Sequence, residues 1–133
     1  MNQTPPAENS GRSVAFACLA LVLAVFALYG PSLHHGFAPL DDNEYVTANP
    51  QVLSGLTLKS IVWAFSFHDR GYWHPVTWLS HMLDCELYGL NPRGHHLTNL
   101  LLHAANVLIL FLVMLRITGA LWKSAAAAAL FAL

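Results

Sequence analysis

Apolar residues along the chain fall into three long runs, with two shorter periodic stretches between the first and second. From Val14 to Leu28 no charged residue appears, and with "YGPSL" the run extends to Leu33. Twenty residues rising about 1.5 Å each cover the roughly 30 Å hydrocarbon core of a bilayer, so 14–33 is predicted to be a first transmembrane helix. The bulky residues of "FALYGPSL" offer no small-x-small cleavage site, which favours an uncleaved span over a removed signal peptide. A second span is predicted over 96–116, through "LTNLLLHAANVLILFLVML" and ended by Arg116, with Pro92 in the first turn of its helix and Asn91 as cap. The third run, "ALWKSAAAAALFAL", starts at Ala120, and after Lys123 only ten residues remain. They reach about 15 Å, half a bilayer. A helix halted at midplane leaves carbonyls unsatisfied in lipid, so 120–133 reads as the truncated start of a third span and the chain as the amino-terminal piece of something longer.

Between the first two spans lies a segment, 34–95, too aromatic for a linker. "GLTLKSIVWAF" predicts a helix at about 57–65, with Thr57 as cap and Leu58, Ile61, Val62 and Phe65 at i, i+3, i+4, i+7. "HPVTWLSHMLDCELYG" predicts another at about 75–88, with Pro75 in its first turn and Gly89 past its end. Its apolar stripe is Val76, Leu79, Leu83 and Leu87, with Trp78 and Met82 alongside. One-sided aromatic helices of this kind lie along a membrane surface or pack as a lid. Residues 1–13, polar and containing Pro, Gly and Ser, read as a disordered tail. The expected class is therefore an all-α membrane protein, with two complete transmembrane helices, a truncated third, and a helical extracytoplasmic loop between the first two.

Composition sharpens this. The chain is 56% hydrophobic and 10% charged, against about a quarter charged in soluble domains, so lipid solvates much of its surface. A net charge of −1 provides no basic face for nucleic acid. Two cysteines exclude a disulfide framework. Arg12, Arg116 and Lys123 flank the spans, while the loop sets Lys59, Arg70 and Arg93 against Asp41, Asp42, Glu44, Asp69, Asp84 and Glu86. The positive-inside rule then predicts a multi-pass inner (cytoplasmic) membrane protein with a cytoplasmic N-terminus and loop 34–95 periplasmic or extracellular.

Candidate chemistry concentrates at the outer surface. Asp41 and Asp42 follow the first span and precede Glu44; in an ordinary loop they are a helix cap and solvated acids. Held against a hydroxyl, one of them is a general base, with Glu44 supporting. Two adjacent carboxylates also suit Mg²⁺ or Mn²⁺. Seven of the eight histidines fall between His34 and His96, in two adjacent pairs (His34–His35 and His95–His96) and three singles. Adjacent helical residues point about 100° apart, and no HxxxH or CxxC frame is present, so a zinc site is not read from them; the imidazoles suit an anionic headgroup or phosphate instead. Within the second span His96, Asn99, His103 and Asn106 recur at i, i+3, i+7, i+10, a polar face that either bonds neighbouring helices or lines a wet wall.

In order, "FAPLDDNEYVTANPQV", "WHPVTWLSHMLDCELYGLNPRGHHLTNLLLHAANVLILFL" and "ITGALWKSAAAAALFAL" resemble the start of bacterial multispanning glycosyltransferases of the GT-C superfold. The branch most similar carries tetratricopeptide repeats after its membrane domain, like the protein O-mannosyltransferases with such repeats. The resemblance covers roughly 20–133. It implies a polyprenyl-phosphate sugar donor, transfer outside the cytoplasm to an acceptor protein (Ser or Thr) or glycan, and an essential acid just after the first span, here Asp41 or Asp42. It also implies inversion: the Asp takes the proton of the attacking hydroxyl while lipid phosphate leaves from the opposite face. From position, Arg93, His95 and His96 are expected near the donor phosphate. The family's domain has many more spans, so the 133 residues alone are expected to be inactive. The alternative from another class is a small membrane-anchored protein whose acidic, His-rich outer loop binds a metal or a partner.

Overall fold

A computed structural model describes residues 11–66 and 73–133. The chain is all-α among those residues: α1 (Gly11–Tyr29), a 3₁₀ turn (Gly30–His34), a π-helical turn (Asn43–Thr47), α2 (Pro50–Leu53), α3 (Leu58–Phe65), α4 (Pro75–Tyr88), α5 (Pro92–Thr118) and α6 (Leu121–Ala132). The tail expected over 1–13 lies outside the described residues as far as 10. Gly11, Arg12 and Ser13 are already helical, which moves its boundary. The first apolar stretch runs to His34 but changes type on the way: Pro31 lacks an N–H for the i−4 ladder, so the α-helix stops at Tyr29 and the chain tightens into the 3₁₀ turn.

Two compact units form, one within Met1–Pro31 and Asn99–Leu133, the other Ser32–Thr98. In the first, Gly11–His34 and Pro92–Thr118 are the helical stretches long and apolar enough to cross a membrane, and α6 is a shorter apolar helix. Each helix of this unit hides a narrow stripe at three- and four-residue spacing: Ala17, Leu21 and Val25 on α1; Leu100, Ala104, Val107 and Phe111 on α5; Leu121, Ser124, Ala128 and Ala132 on α6. Small residues at every stripe let backbones approach closely, as membrane helices do. Large apolar side chains such as Phe16, Leu23, Leu102 and Ile109 face outward, as suits helices solvated by lipid.

The second unit packs differently. Val52, Ala64, Trp78 and Met82 form its core, with Tyr45, Trp63, Leu79 and Cys85 against them. Asn49 starts α2 by accepting from the Gln51 and Val52 N–H groups, with Pro50 pre-set in the first turn. Thr57 caps α3 in a reciprocal box with Ser60. Gly89 ends α4 with φ 60°, a left-handed value that suits a residue without Cβ. Much of each predicted apolar stripe faces away from this core. On α3 the buried residues are Ser60 and Ala64, while Leu58, Val62 and Phe65 are exposed; on α4 Trp78 and Met82 are buried, while Val76, Leu83 and Leu87 are exposed.

Candidate functional site

The Ser32–Thr98 unit gathers acids, imidazoles and aromatic rings at one place. Asp41 and Asp42 open a helical turn that widens into the π turn at Asn43–Thr47. Single π turns often mark functional positions, because they re-aim side chains. Asp41 and Glu44 are exposed, whereas Asp42 is half-buried. The Asp42 side chain does not cap the turn; its Oδ2 accepts the Ala38 N–H at 2.6 Å, which holds the carboxylate in place. One turn on, Tyr45 stacks flat on Trp78 (centroids 4.9 Å) and on His74 (5.5 Å), and meets His81 edge-on at 6.4 Å. Trp63 closes this stack against Trp78.

Beside the stack, α4 and the first turn of α5 bring three ligating groups together. His81 and Asp84 are one helical turn apart on α4, and His95 comes from α5. One ligand atom from each lies within 4.8 Å of the others, and no other such group of three or more His, Cys, Asp or Glu side chains occurs among the described residues. Asp84 and His95 are 2% and 4% exposed, too deep for ordinary solvated side chains. The Thr98 hydroxyl donates to Asp84 Oδ1 at 2.6 Å, and His95 Nε2 lies 2.9 Å from the Gly89 carbonyl. A carbonyl can only accept, so this contact places the imidazole proton on Nε2. Phe37 packs edge-on against the His95 ring at 5.3 Å.

This packing depends on Gly94. A Cβ there would run into the ring and Cβ of Tyr88, so only glycine lets the start of α5 come this close to the end of α4. Burial holds the His81 imidazole below its ordinary 6.5. His95 and His74 push the same way, and Asp84 and Asp42 oppose them. Burial, then the Asp84 charge, raises the Cys85 thiol above its ordinary 9.0.

The remaining candidate residues are spread out. Arg93 is exposed, His96 is half-buried with Nε2 unbonded, and His34 and His35 are exposed. In the first unit His103 is half-buried, edge-on to Tyr29 at 5.2 Å and tilted against Phe131 at 5.7 Å, while Asn99 and Asn106 lie on the outer surface of the unit. In the sequence alone Asp84 stands as one loop charge among several and His81 as a single histidine. The visible signal was their i, i+3 spacing inside a predicted helix.

An all-α fold with two membrane-length helices and, between them in sequence, a compact unit built around an acid–imidazole cluster makes this a membrane protein. Its sequence is similar to that of Protein O-mannosyl-transferase Tmtc1 of Drosophila melanogaster, with 33% identity over 122 residues, covering 86% of this chain. The chain spans 14% of the length of that relative. No protein-family model and no solved structure matches it.

Proposed function

We propose that these residues form the opening part of a membrane glycosyltransferase related to the protein O-mannosyltransferases, in the GT-C branch with tetratricopeptide repeats. The observation that carries this reading is the similarity to an O-mannosyltransferase through 86% of the chain. In this reading the sugar comes from a polyprenyl-phosphate donor and goes to a Ser or Thr hydroxyl, or a glycan hydroxyl, with inversion. The membrane is the inner one, crossed several times, and residues 34–95 face the outside. The exposed stripe of Leu58, Val62, Phe65, Val76, Leu83 and Leu87 supports a unit resting at the lipid interface.

Of the paired acids we assign the base to Asp42. A general base must be held within reach of the hydroxyl it deprotonates. Asp42 is held by the Ala38 N–H and is close enough to His81 to bias that imidazole, whereas Asp41 is exposed. Phosphate is a competent leaving group, so cations near it matter more than a general acid. Arg93, exposed at the start of α5, and His96 take that role; His95, buried and bonded to Gly89, supports them from behind.

The test uses the gene product at its natural length, in membranes, with a radiolabelled polyprenyl-phosphate mannose. Asp42→Asn should lower transfer about 10²–10⁴-fold at unchanged protein level, the usual range for losing a general base. Asp41→Asn should lower it less. Full activity in Asp42→Asn overturns the assignment, and transfer from a nucleotide sugar instead of the lipid donor overturns the function. The 133 residues alone, only 14% of the relative's length, are expected to transfer nothing.

A further inference from the structure

We propose that His81, Asp84 and His95 form a binding site for a divalent transition-metal ion of the Zn²⁺ class, independently of any sugar transfer. The decisive geometry is between His95 and Asp84. With its proton on Nε2 toward the Gly89 carbonyl, His95 turns the bare lone pair of Nδ1 into a buried space where it has no hydrogen bond. The nearest charged atom is Asp84 Oδ2, 3.8 Å away. A lone pair facing a carboxylate oxygen repels it unless a positive centre lies between them.

A proton fits that gap poorly. Charged N–H···O contacts close to about 2.7–2.9 Å, a full ångström shorter than the separation here. An ion at about 2.0–2.2 Å from each donor sets two tetrahedral ligands about 3.4 Å apart, much nearer to what is seen. His81 adds a third donor within 4.8 Å, and its Nδ1 is likewise buried without a hydrogen bond. Loading the site therefore requires the His81 donor to move in by up to about 1.4 Å, from 4.8 Å to the roughly 3.4 Å of a tetrahedral pair, and its ring is only half-buried.

The surroundings match what metal ligands need. Gly89 fixes the tautomer of His95, and Thr98 occupies Asp84 Oδ1 so that Oδ2 is left to ligate. Two imidazoles and one carboxylate select Zn²⁺, Co²⁺ or Fe²⁺ over Mg²⁺ or Ca²⁺, which want oxygen donors only. Three protein ligands leave a fourth position open, to be filled by water or by an anionic oxygen such as that of a phosphate.

The experiment is Co²⁺ titration of the full chain, purified in detergent and stripped with chelator, followed by visible d–d absorption. One equivalent of tetrahedral Co²⁺, displaced by Zn²⁺, is the expected result. Thr98→Val, which removes only the outer support of Asp84, should weaken binding about 10–100-fold. His81→Ala should weaken it at least as much, and His34→Ala should leave it unchanged. Asp84→Asn should abolish binding; if that variant does not fold, His81→Ala and Thr98→Val still decide. Absence of the Co²⁺ spectrum, or a Kd unmoved by both His81→Ala and Thr98→Val, overturns the site.

Discussion

The two compact units differ in what they turn outward and in how their interiors are built. The unit built from α1, the apolar part of α5, and α6 hides narrow stripes containing Ala17, Ala104, Ser124 and Ala128 and turns Phe16, Leu19, Leu23, Leu102 and Ile109 outward. The Ser32–Thr98 unit hides Trp78 and Met82 together with the polar Asn49, Ser60, Asp84 and His95. In lipid, hiding leucine brings association no hydrophobic gain, so the small residues set how closely helices approach, and Leu21, Leu100 and Phe111 pack around them. Where a unit must order its own core, bulky rings supply the burial, and each buried polar group needs a partner. One chain thus follows two packing rules, and mutations should read out which rule governs each position.

The sharpest break is Trp78→Ala. It removes the ring shared by Tyr45, His74 and Trp63 and should cost about 3–5 kcal/mol. Hydrogen exchange should lose protection across α2–α4 while α1 and α6 keep theirs. Gly94→Ala comes next: forcing a methyl against Tyr88 should cost about 1–3 kcal/mol and move His95 from Asp84, seen as lower thermal stability with weaker Co²⁺ binding. Thr57→Ala removes the cap and its box with Ser60, worth about 1 kcal/mol, measurable as faster exchange confined to α3.

Acidification gives a gentler probe. His81 is held below its ordinary 6.5 in the fold, so the unfolded chain takes up more protons as pH falls. Stability of the Ser32–Thr98 unit should therefore be flat above about pH 6.5 and decline below it, and His81→Asn should reduce that decline. The smallest effect is expected at Val62→Ser. This side chain is 60% exposed on α3, and a change of more than about 0.5 kcal/mol in detergent would place Val62 in a core instead of on the outer stripe.

Much of the helical layout was legible because it is local. Charge-free runs, Pro75 and Pro92 at helix starts, Thr57 as a cap and Gly89 as a stop all act within a few residues; α3 runs Leu58–Phe65, α4 Pro75–Tyr88, and α5 starts at Pro92 but continues to Thr118, two residues past Arg116. Asn49–Pro50 announced α2 by the same chemistry, yet four residues are too few to show a period. Which side of an amphipathic helix is buried was not legible. Leu58, Val62 and Phe65 form the same stripe whether they meet a core or a lipid surface, and periodicity is blind to the difference.

The site divides along the same line. The place of Asp42 after the first span is visible in the sequence, but the hydrogen bond it accepts from Ala38 depends on the turn that follows. His81 and Asp84 sit three residues apart on α4 and were available to inspection. Their partner His95 arrives only because α4 stops at Gly89 and Gly94 lets the next helix close in. That is a tertiary event, which adjacency in sequence, as at His34–His35, does not signal.

The Asp84–Thr98 hydrogen bond joins residues fourteen positions apart. A ribosome adding about 5–20 residues per second leaves Asp84 waiting roughly one to three seconds for its partner. During that interval the half-made segment carries an acid without its hydroxyl partner. Closure coincides with synthesis of the first two turns of the second long apolar helix, so the timing of membrane insertion and the maturation of the Ser32–Thr98 unit are tied to the same few codons.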